Sequence, residues 1–398
     1  MSKLLFSLPP LSPDYSGVAS VFHDLGLLTV IHDASGCTGT YTGYDEPRWF
    51  GSSSPVFCSG LREMDAILGD DEKLLQKIEA ALADMAHRGG GARGGGARRG
   101  GAPGVVIIGS PVPMVIGFDF KGFAALVENR TGLPALGFPV TGLGYYDQGQ
   151  KDAYLALARR FLPEKAAKDP RRVNILGASA LDGFDDAALD ALEALLEGAG
   201  LRRGAIWGAR SSLEELKESP GAGANWVVTA AALPAARYFQ ERYGIPFAAG
   251  LPAGKAEEER LAAALTAAVR GAEPKAGFPS RRDGGTRRRT LILGEALFCA
   301  SLRARLESED PEAGIRIGTF FGEGRELLGP GDCFFDTEEE AARALADTEL
   351  ETLIADPLLG RLVPPGFAIR LVPAPHRAVS GRLCGEGRAA FFSKRLVS

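Results

Sequence analysis

Short apolar runs recur along the chain, each closed by a turn of glycine, serine or proline and followed by a stretch whose apolar residues return every three or four positions. The run "LGLLTVIH" (25–32) reads as a buried parallel strand. After a turn-rich stretch (52–65), Asp70 caps a helix with Leu74, Leu75, Ile78, Leu82 and Met85 on one face. A strand (104–111), a helix (117–129) and a strand (135–140) complete a first series. A second series has strands at 173–176, 204–209, 225–230 and 245–250, with helices at 185–197, 213–217 and 233–243. A third has strands at 290–295, 315–322 and 350–357, with helices at 296–306 and 337–346. Such alternation predicts parallel sheets with helices on both faces.

The Gly/Arg stretch "RGGGARGGGARRGGAPG" (88–104) has nothing to bury and reads as a surface insertion. It fits G-x-G-x-x-G by composition alone, with no strand before it and no helix opening at it. The polar stretch 274–289 reads as a linker. The expected fold is therefore α/β: three doubly wound, Rossmann-like domains at 1–168, 169–275 and 286–370, with a segment 371–398 returning toward the cleft.

A length of 398 residues suits two or three domains, and 45% hydrophobic with 24% charged residues is a globular composition. The net charge of −5 offers no attraction to nucleic acid or an anionic membrane. Without a bilayer-length apolar run or a leader pattern, the expected location is cytoplasmic. Five cysteines, none in a C-x-x-C pair, argue against a disulfide framework and against a self-contained zinc or ferredoxin module.

Chemistry in open parallel sheets gathers beyond the strand carboxyl ends, where Cys37 falls in "HDASGC" and Cys58 in "VFCSG". The succession "VIHDASGC", "PVFCSGLREMDAILGDDEKLLQKI", "GSPVPMVIGFDFKGF" and "LPALGFPVTGLGYYDQG" resembles, block by block, the component 1 proteins of nitrogenase and their relatives. Later blocks agree: "ERYGIPF", "LILGEALFCASL", "DTELETLIADPLLGRL" and "PHRAVSGRL". The likeness runs over nearly the whole chain outside the Gly/Arg insertion and rests on the order of the blocks. It implies three doubly wound domains with a metallocluster between them.

Departures from the family pattern narrow the expectation. Members with an eight-iron cluster bring three cysteines per chain to the subunit interface. Here the region Ser12–Asp14 has none, and Pro111 stands near the third place. Where nitrogenase ligates its catalytic cofactor with cysteine, this chain has Val228 nearby, which argues against dinitrogen reduction. Four ligands for a [4Fe-4S] cluster then require Cys37 and Cys58 from each of two chains. Asp14 is a further candidate oxygen ligand, because dark-operative protochlorophyllide reductases carry aspartate at that position.

Buried free thiols are the alternative for both cysteines, and Cys299 reads as core. Cys333 and Cys384 read as structural or surface thiols. His32 is read as fixing its turn through a backbone hydrogen bond. His376, in a segment that approaches the cofactor or substrate cavity in relatives, is the candidate proton donor, against a structural role. Arg377 and Arg382 are weighed as carboxylate binders against surface ion pairs, and Tyr41, Tyr44 and Arg48 as neighbours of the cluster against interface packing.

No nucleotide-binding loop is present, since "GLPAGKAEE" has the wrong glycine spacing. The resemblance implies electrons from a separate ATP-dependent iron-sulfur reductase. It also implies a homodimer or a heteromer with a related component 1 subunit, acting on a small molecule or a tetrapyrrole-like substrate. The alternatives are a non-catalytic scaffold for cluster or cofactor assembly and a ligand-binding module.

Overall fold

The structure is a computed structural model that describes residues 6–49, 56–69, 71–88, 101–271, 277–279 and 287–381. Most of the Gly/Arg insertion, most of the 274–289 linker, Asp70, Arg382 and Cys384 lie outside the described residues. The first unit runs α1 (Asp14–Phe22), β1 (Leu28–Ile31), α2 (Gly36–Thr40), a π turn (Tyr41–Asp45), β2 (Val56–Cys58), α3 (Glu63–Leu68) and α4 (Asp71–Arg88). It continues with β3 (Val105–Ile108), α5 (Pro111–Val115), α6 (Phe120–Thr131), β4 (Ala135–Phe138) and α7 (Tyr146–Phe161).

The second unit comprises β5 (Asp169–Leu176), α8 (Asp186–Gly198), β6 (Arg202–Trp207), α9 (Leu213–Lys217), β7 (Ala222–Val227), α10 (Leu233–Tyr243), β8 (Phe247–Ala249) and α11 (Lys255–Val269). The third has β9 (Arg287–Leu293), α12 (Ala296–Glu309), β10 (Ala313–Thr319), β11 (Cys333–Phe334), α13 (Glu338–Leu345), β12 (Leu350–Ala355), β13 (Arg370–Pro373) and α14 (Arg377–Ser380). The sheets are ordered β2-β1-β3-β4, β6-β5-β7-β8 and β11-β10-β9-β12-β13. Their strand pairs are all parallel. Three doubly wound parallel sheets are thus present, as the alternation of runs predicts.

Successive side chains on a strand point to opposite faces, and here both faces are covered. On the first sheet Leu28, Val30, Val105 and Ile107 enter one core layer, and Ile31, Val106 and Ile108 enter another. That second layer also takes Leu176, Trp207 and Val227 from the second sheet. The other face of the second sheet, with Val173, Ile175 and Trp226, shares a layer with Ile292, Ile317 and Ile354 of the third. Leu291, Leu293 and Leu353 face outward to a final layer completed by Leu8, Leu11 and Tyr146.

The expected elements omit the long helices α7 and α11 along with several short ones, and four of the omitted elements carry no clear sequence signature. Strands β2 and β11, of three and two residues, are too short to display alternation. Helix α1 is buried at all nine positions, so it has no polar face to reveal a helical period. Strand β13 pairs with β12, and the expected boundary at 370 falls inside it.

Helices α1 and α7 meet backbone to backbone. A Cβ on Gly17 would stand 1.9 Å from the Tyr146 carbonyl oxygen, and one on Gly149 would stand 1.9 Å from that of Asp14. Gly17→Ala is expected to destabilise the protein by about 1–3 kcal/mol through forced overpacking. Gly198→Ala, on α8 with nothing within 4 Å of its new methyl, should be neutral or mildly stabilising. Paired thermal melts check the contrast.

Candidate functional site

In the first sheet the chain leaves β1 for β2 on one side and later returns to β3 on the other. The carboxyl ends of β1 and β3 therefore form a topological switch point, the usual place for a ligand in an open parallel sheet. Cys37 follows β1 and Ser110 follows β3, while Cys58 ends β2 in register with Ile31.

Both thiols are tied to Asp33, which is buried. Its carboxylate Oδ2 accepts from the Ser35 and Cys37 N–H groups at 2.8 and 2.9 Å. Its carbonyl accepts from Cys58 Sγ at 3.3 Å, and the Gly60 N–H donates to that sulfur at 3.3 Å. The Tyr15 and Ser110 hydroxyls neighbour the Cys37 sulfur and favour its thiolate, with the Ser110 proton itself directed to the His32 carbonyl at 2.9 Å. Burial first, then the Asp33 carboxylate, push the Cys37 thiol up to about 11. Both thiols are uncrosslinked and half-buried, and the Thr38 hydroxyl beside Cys37 is buried without a hydrogen-bond partner.

These features suit a cluster half-site: two sulfurs on one edge, a tyrosine hydroxyl beside one of them, and an orphaned hydroxyl. Among the described residues, no group of three or more His, Cys, Asp and Glu side chains is placed to hold a metal within one chain.

Asp14, the other expected ligand, is engaged elsewhere. Its carboxylate accepts from the N–H groups of Thr141 (3.1 Å) and Gly142 (2.8 Å) and from its neighbour Tyr15 (2.8 Å), which pins the 141–144 loop. His32 holds its turn through Nδ1 and the Ser59 hydroxyl at 2.9 Å rather than through the backbone, and it packs on Phe118. Tyr41 and Arg48 are intrachain pieces: Tyr41 meets His23 Nδ1 at 2.9 Å, and Arg48 binds Glu46 and Asp24. Burial pushes the Glu46 carboxyl up, but Arg48 outweighs it and holds the group at about 2. Cys299 is core and Cys333 half-buried.

His376 lies where the three units meet. The Tyr146 hydroxyl at the start of α7 donates to Asp182 Oδ1 at 2.7 Å and lies 3.3 Å from His376 Nε2. With the phenol proton given to Asp182, Nε2 must be the donor of the neutral ring, which leaves Nδ1 as an acceptor. Asp356 fixes the segment by accepting from the His376 N–H at 2.8 Å and from the Ser380 hydroxyl. His376 Nδ1, Asp147 Oδ1 and Gln150 Oε1 are buried without hydrogen-bond partners. Polar atoms orphaned in this way are where a bound ligand or ordered water belongs.

A family model described as nitrogenase component 1 type oxidoreductase matches residues 14–284. The chain belongs to this family. Two solved structures share its fold. One, "Nitrogenase Cp1 at pH 6.5", matches with a TM-score of 0.68 at 12% identity, covering 98% of this chain and 92% of that one. The other, "Nitrogenase Cp1 at pH 5", matches with a TM-score of 0.56 at 17% identity, covering 86% and 72%. A search of curated proteins finds no match.

This component 1 chain also carries site residues that a sequence reading overlooks: Asp33, Tyr15, Ser110, Tyr146 and Asp182. Asp33 alone has a local sign, since an aspartate two residues before Ser35 and four before Cys37 can reach both N–H groups.

Titration of buried groups gives a signed pH dependence. Burial first, then Lys77 at His32 and Arg48 at His23, pull both imidazoles down to about 4. Unfolding lets them protonate, so acidification from 6.5 toward 4 removes stability. Burial drives Asp147 up to about 7, against the hydrogen bond from the Glu323 N–H, so acidification from 7 toward 3.8 adds stability there. Asp147→Asn removes that opposing contribution. Its melting temperature should stand above the wild type's near pH 8, where Asp147 is a buried anion, and fall more steeply than the wild type's between about pH 7 and pH 4.5 until the two converge. Calorimetry across that range checks the sign.

Proposed function

We propose that the chain is the catalytic subunit of a nitrogenase-like, ATP-dependent oxidoreductase that does not reduce dinitrogen. On this reading two chains, identical or related, face each other at the carboxyl edge of the first sheet. Cys37 and Cys58 of each would hold one [4Fe-4S] cluster between them. The observation that carries the proposal is that Asp33, at the switch point of a component 1 fold, holds the Cys37 N–H with its carboxylate and the turn after Cys58 with its carbonyl. Apolar side chains stand exposed around that edge: Met64, Ile67 and Leu68 on α3, Val112 and Val115 on α5, and Leu143 in the loop that Asp14 pins. Such a surface suits a subunit interface or the docking of a separate ATP-hydrolysing iron-sulfur reductase.

When bound, the cluster supplies single-electron transfer. This chain's own residues then do the remainder: the Tyr15 hydroxyl would donate to the Cys37 sulfur, and burial limits water and oxygen at the thiols. In the seam between the units Asp182 and Tyr146 set the tautomer of His376, which receives a proton at Nδ1 and returns it from there to a reduced substrate. The orphaned oxygens of Asp147 and Gln150 would take the donor groups of that substrate, a small molecule or a tetrapyrrole-like compound. Val228 is wholly buried in the shared core, which supports a substrate other than dinitrogen.

Anaerobic expression, with and without a related component 1 subunit, followed by iron and sulfide analysis and EPR after dithionite, tests the proposal. About four iron per dimer are expected. Cys37→Ala and Cys58→Ala should each abolish the signal. A wild-type protein without iron after competent reconstitution in both settings would overturn the cluster assignment. A cluster that leaves to a mild chelator and supports no substrate reduction would favour the scaffold reading.

A further inference from the structure

The thiol edge contains a carboxylate whose bonding goes beyond filling a turn. Asp33 is only 4% exposed, and among the described residues no lysine or arginine pairs with it. Its Oδ2 takes the Ser35 and Cys37 N–H groups, and its Oδ1 lies 3.4 Å from the Ser110 hydroxyl. Its carbonyl oxygen takes the Cys58 thiol at 3.3 Å, the Ser59 hydroxyl at 3.1 Å and the Leu61 N–H at 2.8 Å. Its own N–H donates to Ser59 Oγ at 3.0 Å. One residue therefore holds the Cys37 turn through its carboxylate and the Cys58 turn through its carbonyl.

The turn needs holding. Ser35 sits at φ 151°, a region that a residue with a side chain rarely adopts and that persists only when its surroundings enforce it. The enforcing contact is the carboxylate, which accepts from the Ser35 N–H itself and from the Cys37 N–H at the start of α2. Removing the carboxylate would release Ser35 toward ordinary backbone angles and swing Cys37 away from the position set by Tyr15 and Ser110.

We propose that Asp33 is the positioning residue that makes Cys37 and Cys58 one rigid half-site, and that its unpaired negative charge lowers the reduction potential of the cluster they share. The inference rests on the cluster reading for its second part only. A fixed negative charge close to a centre that gains an electron disfavours the reduced state, and in a partly buried site solvent screens it weakly.

Two variants separate the parts. Asp33→Ala loses both acceptor and charge, while Asp33→Asn keeps an acceptor oxygen for the Ser35 and Cys37 N–H groups and loses only the charge. Amide hydrogen exchange is measured over residues 34–40 in cluster-free and reconstituted protein, along with iron content and an EPR-monitored redox titration. Asp33→Ala should exchange at least about tenfold faster there, with far-UV circular dichroism unchanged, and should hold less than about half the wild-type iron. Asp33→Asn should keep protection and iron, with a reduced-to-oxidised ratio at fixed potential higher by about tenfold, or 59 mV for one electron.

Wild-type exchange and iron in Asp33→Ala would overturn the positioning role. An unshifted potential in Asp33→Asn would overturn the electrostatic one. If wild-type protein takes up no iron but Asp33→Ala still loses amide protection, the cluster reading fails and the positioning of the Cys37 turn by the carboxylate stands.

Discussion

Turns that leave the carboxyl ends of parallel strands carry N–H groups that no ladder satisfies, and a buried N–H without a partner is costly. In this protein buried carboxylates meet that demand, and the placement of the functional side chains depends on them. Asp33 gathers the N–H groups around Cys37, and Asp14 gathers those of the 141–144 loop. Glu295 caps α12 through the Leu297 and Phe298 N–H groups and reaches across to the Ala230 N–H of the second unit. Asp356 holds the backbone of His376. Each accepts oriented backbone N–H groups, and each fixes a loop that carries chemistry or joins two units.

The layered core explains why these loops meet. Every sheet is covered on both faces, and each internal layer of apolar side chains belongs to two sheets at once. The three units consequently cannot slide against one another without opening shared core. Helix α7 adds a second restraint: its glycine contact with α1 allows backbone approach, and its first turn projects Tyr146 and Gln150 into the second unit and Asp147 toward the third. The seam is polar because three strand-end loops converge there. The orphaned atoms of Asp147, Gln150 and His376 mark it as a place where, among the described residues, hydrogen bonding is incomplete.

Membership in the component 1 family sets the frame, and this chain's departures give it its character. The architecture of the family is retained, and on the proposed reading two thiols at the edge of the first sheet and a buried valine near the expected cofactor position leave it a reduced ligand set. Such a half-inventory suits a centre assembled between two chains. It also places unusual weight on what orients each thiol, which explains why a single aspartate carries so many bonds.

Fold class and the principal strands and helices were legible in the linear order because they depend on local periodicity. Strands β1, β3 and β12 announce themselves as apolar runs, α9 and α10 lie where the apolar spacing puts them, and Cys37 follows from the end of β1. Short or fully buried elements gave no such signal, and the long helices α7 and α11 were not read from the sequence either. Cys58 ends a three-residue strand that only its pairing with β1 defines. The engagement of Asp14 with residues more than 120 positions away, and the meeting of Tyr146 with His376 across 230, were equally beyond reach. Periodicity reports which face of an element is apolar, whereas a hydrogen bond between distant loops exists only once the layers have packed.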